Sequence, residues 1–209
     1  MITTHPRRRA VALALSVAAL LAPAASTRAA SPDAVPAAAP ALTTKARAAA
    51  CPVVTDRLYA AADRRVDPGR ITPAPVWRTD CKQLYRADNR APAVIFQEGF
   101  HPKAPLDGQY DIERYVLVNQ PSPFVSTTYD HDLYKKWKSG YNYYVDAPGG
   151  VDVNGTIGDT HKYADQEEVA FPGGIAREHI VGVCPVDTVR KTEIMAGCED
   201  NPYYEPWRG

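Results

Sequence analysis

The chain has 209 residues, 45% of them apolar, enough for one packed domain and too many for a wholly disordered protein. Lys plus Arg equals Asp plus Glu at 24 each, so the whole chain is formally neutral. The first thirty residues hold four arginines (Arg7, Arg8, Arg9, Arg28) and no acid; without them 20 basic residues face 24 acidic ones, and the net of −4 excludes a histone-like binder that relies on phosphate neutralisation.

Arg7, Arg8 and Arg9 precede an apolar run over 10–22, and small residues crowd 24–30. That order predicts a secretory signal peptide over 1–30, cleaved after Ala24, Ala29 or Ala30. The alternative, a membrane anchor, needs about 20 apolar residues, more than this run supplies. Residues 31–50 are mostly Ala and Pro without an aromatic and read as a disordered linker, so the folded domain is expected over 51–209. All four cysteines lie in it: Cys51, Cys81, Cys184 and Cys198. An even count in an exported chain implies disulfides. Of the three possible pairings, Cys51 with Cys81 and Cys184 with Cys198 is favoured, because it staples the two ends of the domain. No metal site is expected, since Cys-x-x-Cys, His-x-x-x-His and His-Glu-x-x-His spacings do not occur.

Residues 54–64 (VTDRLYAAADR) have the spacing of a short amphipathic helix, stopped by Pro68-Gly69. A short strand follows over 84–86, then a helix over 92–98 with Pro in its first turn and Gly99 after its end. Residues 115–118 (YVLV) read as a strand broken by Pro121 and Pro123, and 124–129 as another. Asp130 or Asp132 caps a helix running to Lys138. The aromatic and β-branched run 141–147 is a strand ended by Pro148-Gly149-Gly150. A polar loop spans 155–165, and strands are expected over 167–171 and 179–186. Many short strands with few helices indicate an α+β domain around a mainly antiparallel sheet.

Three segments can carry chemistry. In Gln166-Glu167-Glu168, strand alternation puts Gln166 and Glu168 on one face and turns Glu167 away. An amide then sits beside an acid, and the paired carboxylates of a glycosidase are missing. The competing reading is a solvated strand edge. Ser126-Thr127-Thr128 places hydroxyls on alternate sides of a strand, or is only a run of strand formers; no Gly-x-Ser-x-Gly frame supports a serine hydrolase. Arg86, among apolar strand formers, offers a fork for phosphate oxygens or a salt bridge to Asp88 or another acid.

In this order, Arg86, Ser126-Thr127-Thr128 and Gln166-x-Glu168 resemble the Arg, Ser-Thr-Ser and (Gln or Glu)-x-Glu pattern of mono-ADP-ribosyltransferases. The text around them (LYRADNR from Leu84, Gly99-Phe100, FVSTT from Phe124, YVDAPGG from Tyr144 and QEEVAFPGGI from Gln166) is similar to the pierisin–scabin group. These are secreted or toxin-like enzymes that ADP-ribosylate guanine in DNA and in free nucleosides or nucleotides. The similarity runs from about Cys81 to Cys198. It implies the ADP-ribosyltransferase fold, with split, mainly antiparallel β-sheets and small helices around a cleft for NAD.

The resemblance also implies roles. Arg86 grips the NAD phosphates, with Ala87 and Asp88 adding backbone or ribose contacts. Ser126 positions the catalytic acid and Thr127 packs behind the nicotinamide. Thr128 stands where relatives carry a second Ser, and its extra methyl puts the fit in question. Asn119 and Trp137 fall on the nicotinamide side; the residues alone equally allow a turn residue and a helix residue capping the core. Glu168 is the catalytic glutamate, a carboxylate that stabilises positive charge on the ribose as nicotinamide leaves. Gln166 selects the acceptor: an uncharged amide suits a guanine edge, where arginine-modifying relatives use Glu. Tyr163, in the acceptor-facing loop, stacks on a purine or rides on a mobile loop. His161 and Lys162 touch a phosphate or are merely solvated, and Lys135, Lys136 and Lys138 form a basic patch or a solvated face.

The expectation is a secreted, monomeric mono-ADP-ribosyltransferase that moves ADP-ribose from NAD to the exocyclic amine of guanine, with NAD as substrate, no metal, and no membrane contact in the mature form. The alternatives are a secreted NAD glycohydrolase using the same cleft and a non-enzymatic binding module with the same fold.

Overall fold

The computed structural model describes residues 51–208, so the expected signal peptide (1–30) and linker (31–50) lie outside the described residues. The strands are β1 (Leu84–Asp88), β2 (Phe124–Thr128), β3 (Tyr141–Val145), β4 (Val151–Asp152), β5 (Glu168–Pro172), β6 (Ile180–Asp187), β7 (Thr192–Glu193) and β8 (Glu199–Asp200). The helices are α1 (Pro92–Glu98), α2 (Ile112–Val118) and α3 (Val153–Ile157). The named strands pair antiparallel in the order β4-β5-β2-β1-β3-β6-β7, with β8 also on β6. This is the expected α+β architecture.

The pairing is uneven, and the unevenness makes the cleft. β1 matches β3 over five residue pairs and β2 matches β5 over five, but β1 and β2 share one pair, Tyr85 with Thr128. Two well-laced halves therefore part beyond that pair. Both faces of the central strands are covered. Val125, Val169 and Phe171 pack with Leu84, Phe100, Tyr143 and Ile175 on one side. Phe124 and Ala170, one residue out of step, pack with Ile112, Val116, Val151 and Val153 on the other. Burial on two sides explains why β5 is apolar from Val169 through Pro172.

Five local expectations are corrected. Residues 54–64 form turns, not a helix. The Asp56 side chain accepts from Leu58 N–H (3.0 Å), and Arg64 donates to the Leu58 carbonyl (2.6 Å), so side chains take the groups a helix needs. Residues 115–118 are the last turn of α2, not a strand. Asp111 caps that helix by accepting from Arg114 N–H, and Ile112 and Val116, four apart, are both buried, which overrides the β-branched run. The helix expected to reach Lys138 is a 3-10 turn, His131–Lys135, capped by Asp130. The polar loop over 155–165 begins inside α3, and strand β5 starts at Glu168, one residue late, because Glu167 adopts a left-handed conformation (φ 44°).

Cys51 pairs with Cys81 and Cys184 with Cys198, as favoured. Among the described residues no helix is long and apolar enough to cross a membrane.

One glycine allows two segments on the same side of the sheet to approach closely. Gly174 has φ +80°, and a Cβ there would strike the Phe100 carbonyl. The close approach lets Phe100 and Ile175 exchange two backbone hydrogen bonds of 2.8 Å each. Gly174→Ala is expected to lower stability by about 3 kcal/mol, from left-handed strain plus a backbone clash. Thermal melting should show this as a Tm about 10 °C lower.

Candidate active site

A cavity of about 680 Å³ opens where β1 and β2 part, within the size range of small-molecule and cofactor pockets. The residues expected to act on or bind NAD and the acceptor line it: Arg86, Ala87 and Asp88 from β1, Asn119 after α2, Ser126, Thr127 and Thr128 from β2, then Trp137, Tyr163, Gln166 and Glu168, whereas Lys135, Lys136, Lys138, His161 and Lys162 do not. Among the described residues no group of three or more His, Cys, Asp or Glu is placed to hold a metal ion.

One wall is cationic. Arg86 donates from Nη1 to the Ser126 carbonyl at 2.6 Å, across the gap where ladder hydrogen bonds between β1 and β2 are lacking. Its Nε donates to Asp88 at 3.1 Å. Arg86 is therefore salt-bridged to Asp88 and also lines the cavity. Arg90 grips the same carboxylate with two bonds, 2.9 and 2.8 Å. Both guanidiniums lie over the Phe100 ring, with Cζ 5.1 and 5.2 Å from its centroid. Burial alone raises the Asp88 pKa, but the Arg90 hydrogen bonds and the charges of Arg86 and Arg90 outweigh it and hold the carboxyl at about 2. One carboxylate between two guanidiniums leaves a net positive charge, a seat for a phosphate or pyrophosphate. Arg90 was missed as a site residue although it lies in the LYRADNR segment; its signal was the i+2 spacing from Asp88, which lets one acid orient two arginines.

The acid lines the same cavity from β5. Ser126 and Glu168 project from the same face of the paired strands β2 and β5, one diagonal step apart. The Ser126 hydroxyl donates to Glu168 Oε1. Tyr115 Oη lies 2.6 Å from Ser126 Oγ. A serine hydroxyl has one hydrogen, so when Ser126 gives it to the carboxylate, Tyr115 must be the donor to Ser126. Burial and the nearby Glu168 charge push the Tyr115 pKa far up, which keeps that donor protonated. The sequence reading missed Tyr115 because it placed this residue on a strand; only the i, i+4 burial of Ile112 and Val116 signals the helix that aims it at β2.

Burial pushes the Glu168 carboxyl up to about 7, against the opposing pull of the Ser126 hydrogen bond and the Arg86 charge. The acid is therefore half ionised near neutrality. A reaction that needs the carboxylate loses about tenfold in rate per pH unit below that point and levels off above it. The pH profile of kcat/KM for NAD cleavage should show this single acidic limb near pH 7.

The side expected to take the acceptor is built differently from the expectation. Gln166 ends a 3-10 turn (Ala164–Gln166), so strand alternation does not pair it with Glu168. The left-handed Glu167 turns outward between them, and both neighbours still face the cavity. Thr128 is buried; its hydroxyl donates to the Gln166 carbonyl and accepts from Asp130 N–H at 2.9 Å. The Thr128 hydroxyl thus ties β2 to the turn that carries Gln166. Thr127 donates to the Val169 carbonyl at 3.0 Å.

Trp137 is 52% exposed at the cavity edge, which removes its reading as a cap on the core. Asn119 ends α2 in the left-handed region (φ 53°), as its reading as a turn residue expected, and it borders the cavity. The turn before Trp137 is moored from outside: His131 Nε2 lies 3.1 Å from Tyr144 Oη and 3.3 Å from Glu193, whose carboxylate also accepts from Asn142 at 2.8 Å. Lys135 and Lys136 are tied to Asp132 and Asp165 by exposed salt bridges. That is the solvated-face reading, not a free basic patch.

Comparison with known proteins gives a consistent result. The chain is 71% identical over 161 residues to a guanine-specific ADP-ribosyl transferase of Streptomyces coelicolor, covering 77% of this chain and 79% of that protein. It is 41% identical over 119 residues to pierisin of Pieris brassicae, covering 50% of this chain but 14% of that protein. The scabin toxin from Streptomyces scabies, solved in complex with NADH, superposes with a TM-score of 0.77 at 70% identity, over 78% of this chain and all of that one. The family model described as Scabin-like matches residues 84–204, from the first strand that carries Arg86 to the tail beyond the last disulfide, and the chain belongs to the Scabin-like family.

Proposed function

We propose that this protein is an NAD-dependent mono-ADP-ribosyltransferase that moves ADP-ribose to the exocyclic amine of guanine, in DNA or in guanine nucleosides and nucleotides, and releases nicotinamide. The observation that carries the reading is the joining of two unlike groups in one cleft. The Arg86–Asp88–Arg90 cluster presents net positive charge for a pyrophosphate, and Glu168 lines the same cavity, held by the Tyr115–Ser126 hydrogen-bond chain. The reaction breaks the nicotinamide–ribose bond, and the electron pair leaves with neutral nicotinamide. Positive charge appears on the ribose, and an ionised Glu168 stabilises it only as it develops. The guanine amine then forms the new bond to the ribose carbon and loses a proton. Gln166, an uncharged amide at the acceptor end, has both a donor and an acceptor for a guanine edge, and Tyr163 beside it offers a stacking face.

A base inside a duplex is shielded from the site, so single-stranded or opened DNA and free nucleosides should react faster than intact duplex. The relatives' guanine specificity and the bound NADH in scabin support this reading over a glycohydrolase that uses only water. The two disulfides suit export to an oxidising compartment, in keeping with the signal-like N-terminus. Incubation with NAD and guanosine, followed by mass spectrometry, tests the proposal. The expected result is a nucleoside heavier by one ADP-ribose; nicotinamide release with no such product overturns the transfer reading in favour of hydrolysis.

A further inference from the structure

We propose that Asn154 and His161 form a brace that sets the acceptor loop, and that His161 is a positioning residue for transfer to guanine. The inference rests on the reading of Tyr163 and Gln166 as the acceptor wall. Neither Asn154 nor His161 lines the cavity, and neither touches the acid or the arginines.

The brace starts from a fixed base. Helix α3 is anchored by the fully buried Val153 and capped by Asp152, which accepts from Gly155 N–H at 2.9 Å. From it, the Asn154 amide reaches the loop twice. Its Nδ2 donates to the Ala164 carbonyl at 2.9 Å, and its Oδ1 lies 3.0 Å from His161 Nε2. An amide has one donor end and one acceptor end, and the Ala164 carbonyl claims the donor. The oxygen must therefore accept, so His161 carries its proton on Nε2. In the neutral ring this leaves the Nδ1 lone pair free. Tyr163 N–H donates to it at 3.3 Å. Each group has one role, and the chain closes in one tautomer only.

The consequence falls on Tyr163. The brace takes the N–H of Tyr163 and the carbonyl of the next residue, so it holds the backbone on both sides of the ring. The following turn depends on that placement, because Gln166 N–H donates to the Tyr163 carbonyl at 3.0 Å. Beyond the brace, the loop is held by the partly buried Ile157 and Tyr163, which pack against the Ile112–Val153 cluster but fix no backbone hydrogen bond. Residues 158–160, 162 and 165 are exposed. The Lys136–Asp165 salt bridge, with side chains 53% and 66% exposed, contributes little. The phosphate contact considered for His161 is also unnecessary, since both ring nitrogens are engaged within the protein.

The test uses the full chain with two substitutions, His161→Ala and His161→Asn. Transfer to guanosine is followed by mass spectrometry, and nicotinamide release is followed without acceptor. His161→Ala is expected to lower kcat/KM for guanosine by at least about tenfold, as a displaced positioning group does, while NAD hydrolysis stays within about twofold. His161→Asn keeps an oxygen that can accept the N–H two residues on, as in an Asx turn, and should recover most of the transfer. Transfer by His161→Ala within twofold of the unaltered protein overturns the brace. So does an equal loss of both activities, which marks a general structural effect. An Asn variant no better than Ala overturns the role of Nδ1 as acceptor. If the unaltered protein releases nicotinamide but gives no guanosine product, the acceptor reading itself fails and the brace falls with it.

Discussion

Glu168→Gln is expected to slow nicotinamide release by about 10²–10³-fold while making the protein more stable at alkaline pH. The rate loss follows from removing a charge that acts only as the ribose becomes cationic, an effect of about 3–4 kcal/mol in comparable electrostatic sites. Shape is nearly unchanged, and an amide oxygen still accepts from Ser126. The stability gain follows from the same burial. The folded carboxyl titrates at about 7 against an ordinary value of 4.5. The folded state therefore binds the proton more tightly, and the stability this gives is fully present below pH 4.5. It is lost as pH rises through 7, because a bare carboxylate must then stay buried. Gln never ionises, so it escapes that loss. Melting curves should show the variant above the unaltered protein at pH 8, by about 3 kcal/mol, with the gap closing toward pH 4.5. Unchanged nicotinamide release would remove Glu168 from the mechanism; an equal gap at both pH values would mean that the gain has another cause.

Gln166→Ala is expected to cut transfer to guanosine by about 10²-fold and to cost NAD hydrolysis much less, by under about fivefold. A site that pairs its own amide with a base edge discriminates strongly, because removing the partner leaves polar groups of the bound base unsatisfied. Hydrolysis escapes most of this, since water needs no such edge. Kinetics with and without guanosine separate the two. Equal loss of both activities would move Gln166 from acceptor selection to support of the acid. Gln166→Glu adds a sharper comparison: a carboxylate there can accept from the guanine amine but cannot donate, so transfer should fall without vanishing.

The ligand-facing residues were more legible in the sequence than the elements that carry them. Arg86, Ser126, Gln166 and Glu168 stand out because their types and order match a reaction, whatever the local backbone does. Their partners did not stand out. Tyr115 sits in YVLV, a strand signal, and its role depends on a cap at Asp111 and on burial of Ile112 and Val116, which is tertiary information. Gln166 and Glu168 were correctly placed together for a reason that does not hold: the backbone between them is not extended, and the left-handed Glu167 restores what alternation was expected to supply. The helix expected over 54–64 failed because periodicity does not register that Asp56 and Arg64 satisfy the same backbone groups from the side. The disulfide pairing was legible because loop closure at the two ends of a domain is a question of spacing rather than of packing.

The parted sheet has a practical consequence for how variants of Arg86 are interpreted. Its guanidinium ties β1 to β2 across the gap beyond their one register pair, Tyr85 with Thr128, and it also supplies charge to the cleft. An inactive Arg86→Ala protein would conflate a sprung seam with a missing cation. Arg86→Lys keeps the charge and gives up the fork, so melting and NAD affinity measured on both variants separate the mechanical duty of this side chain from its electrostatic one.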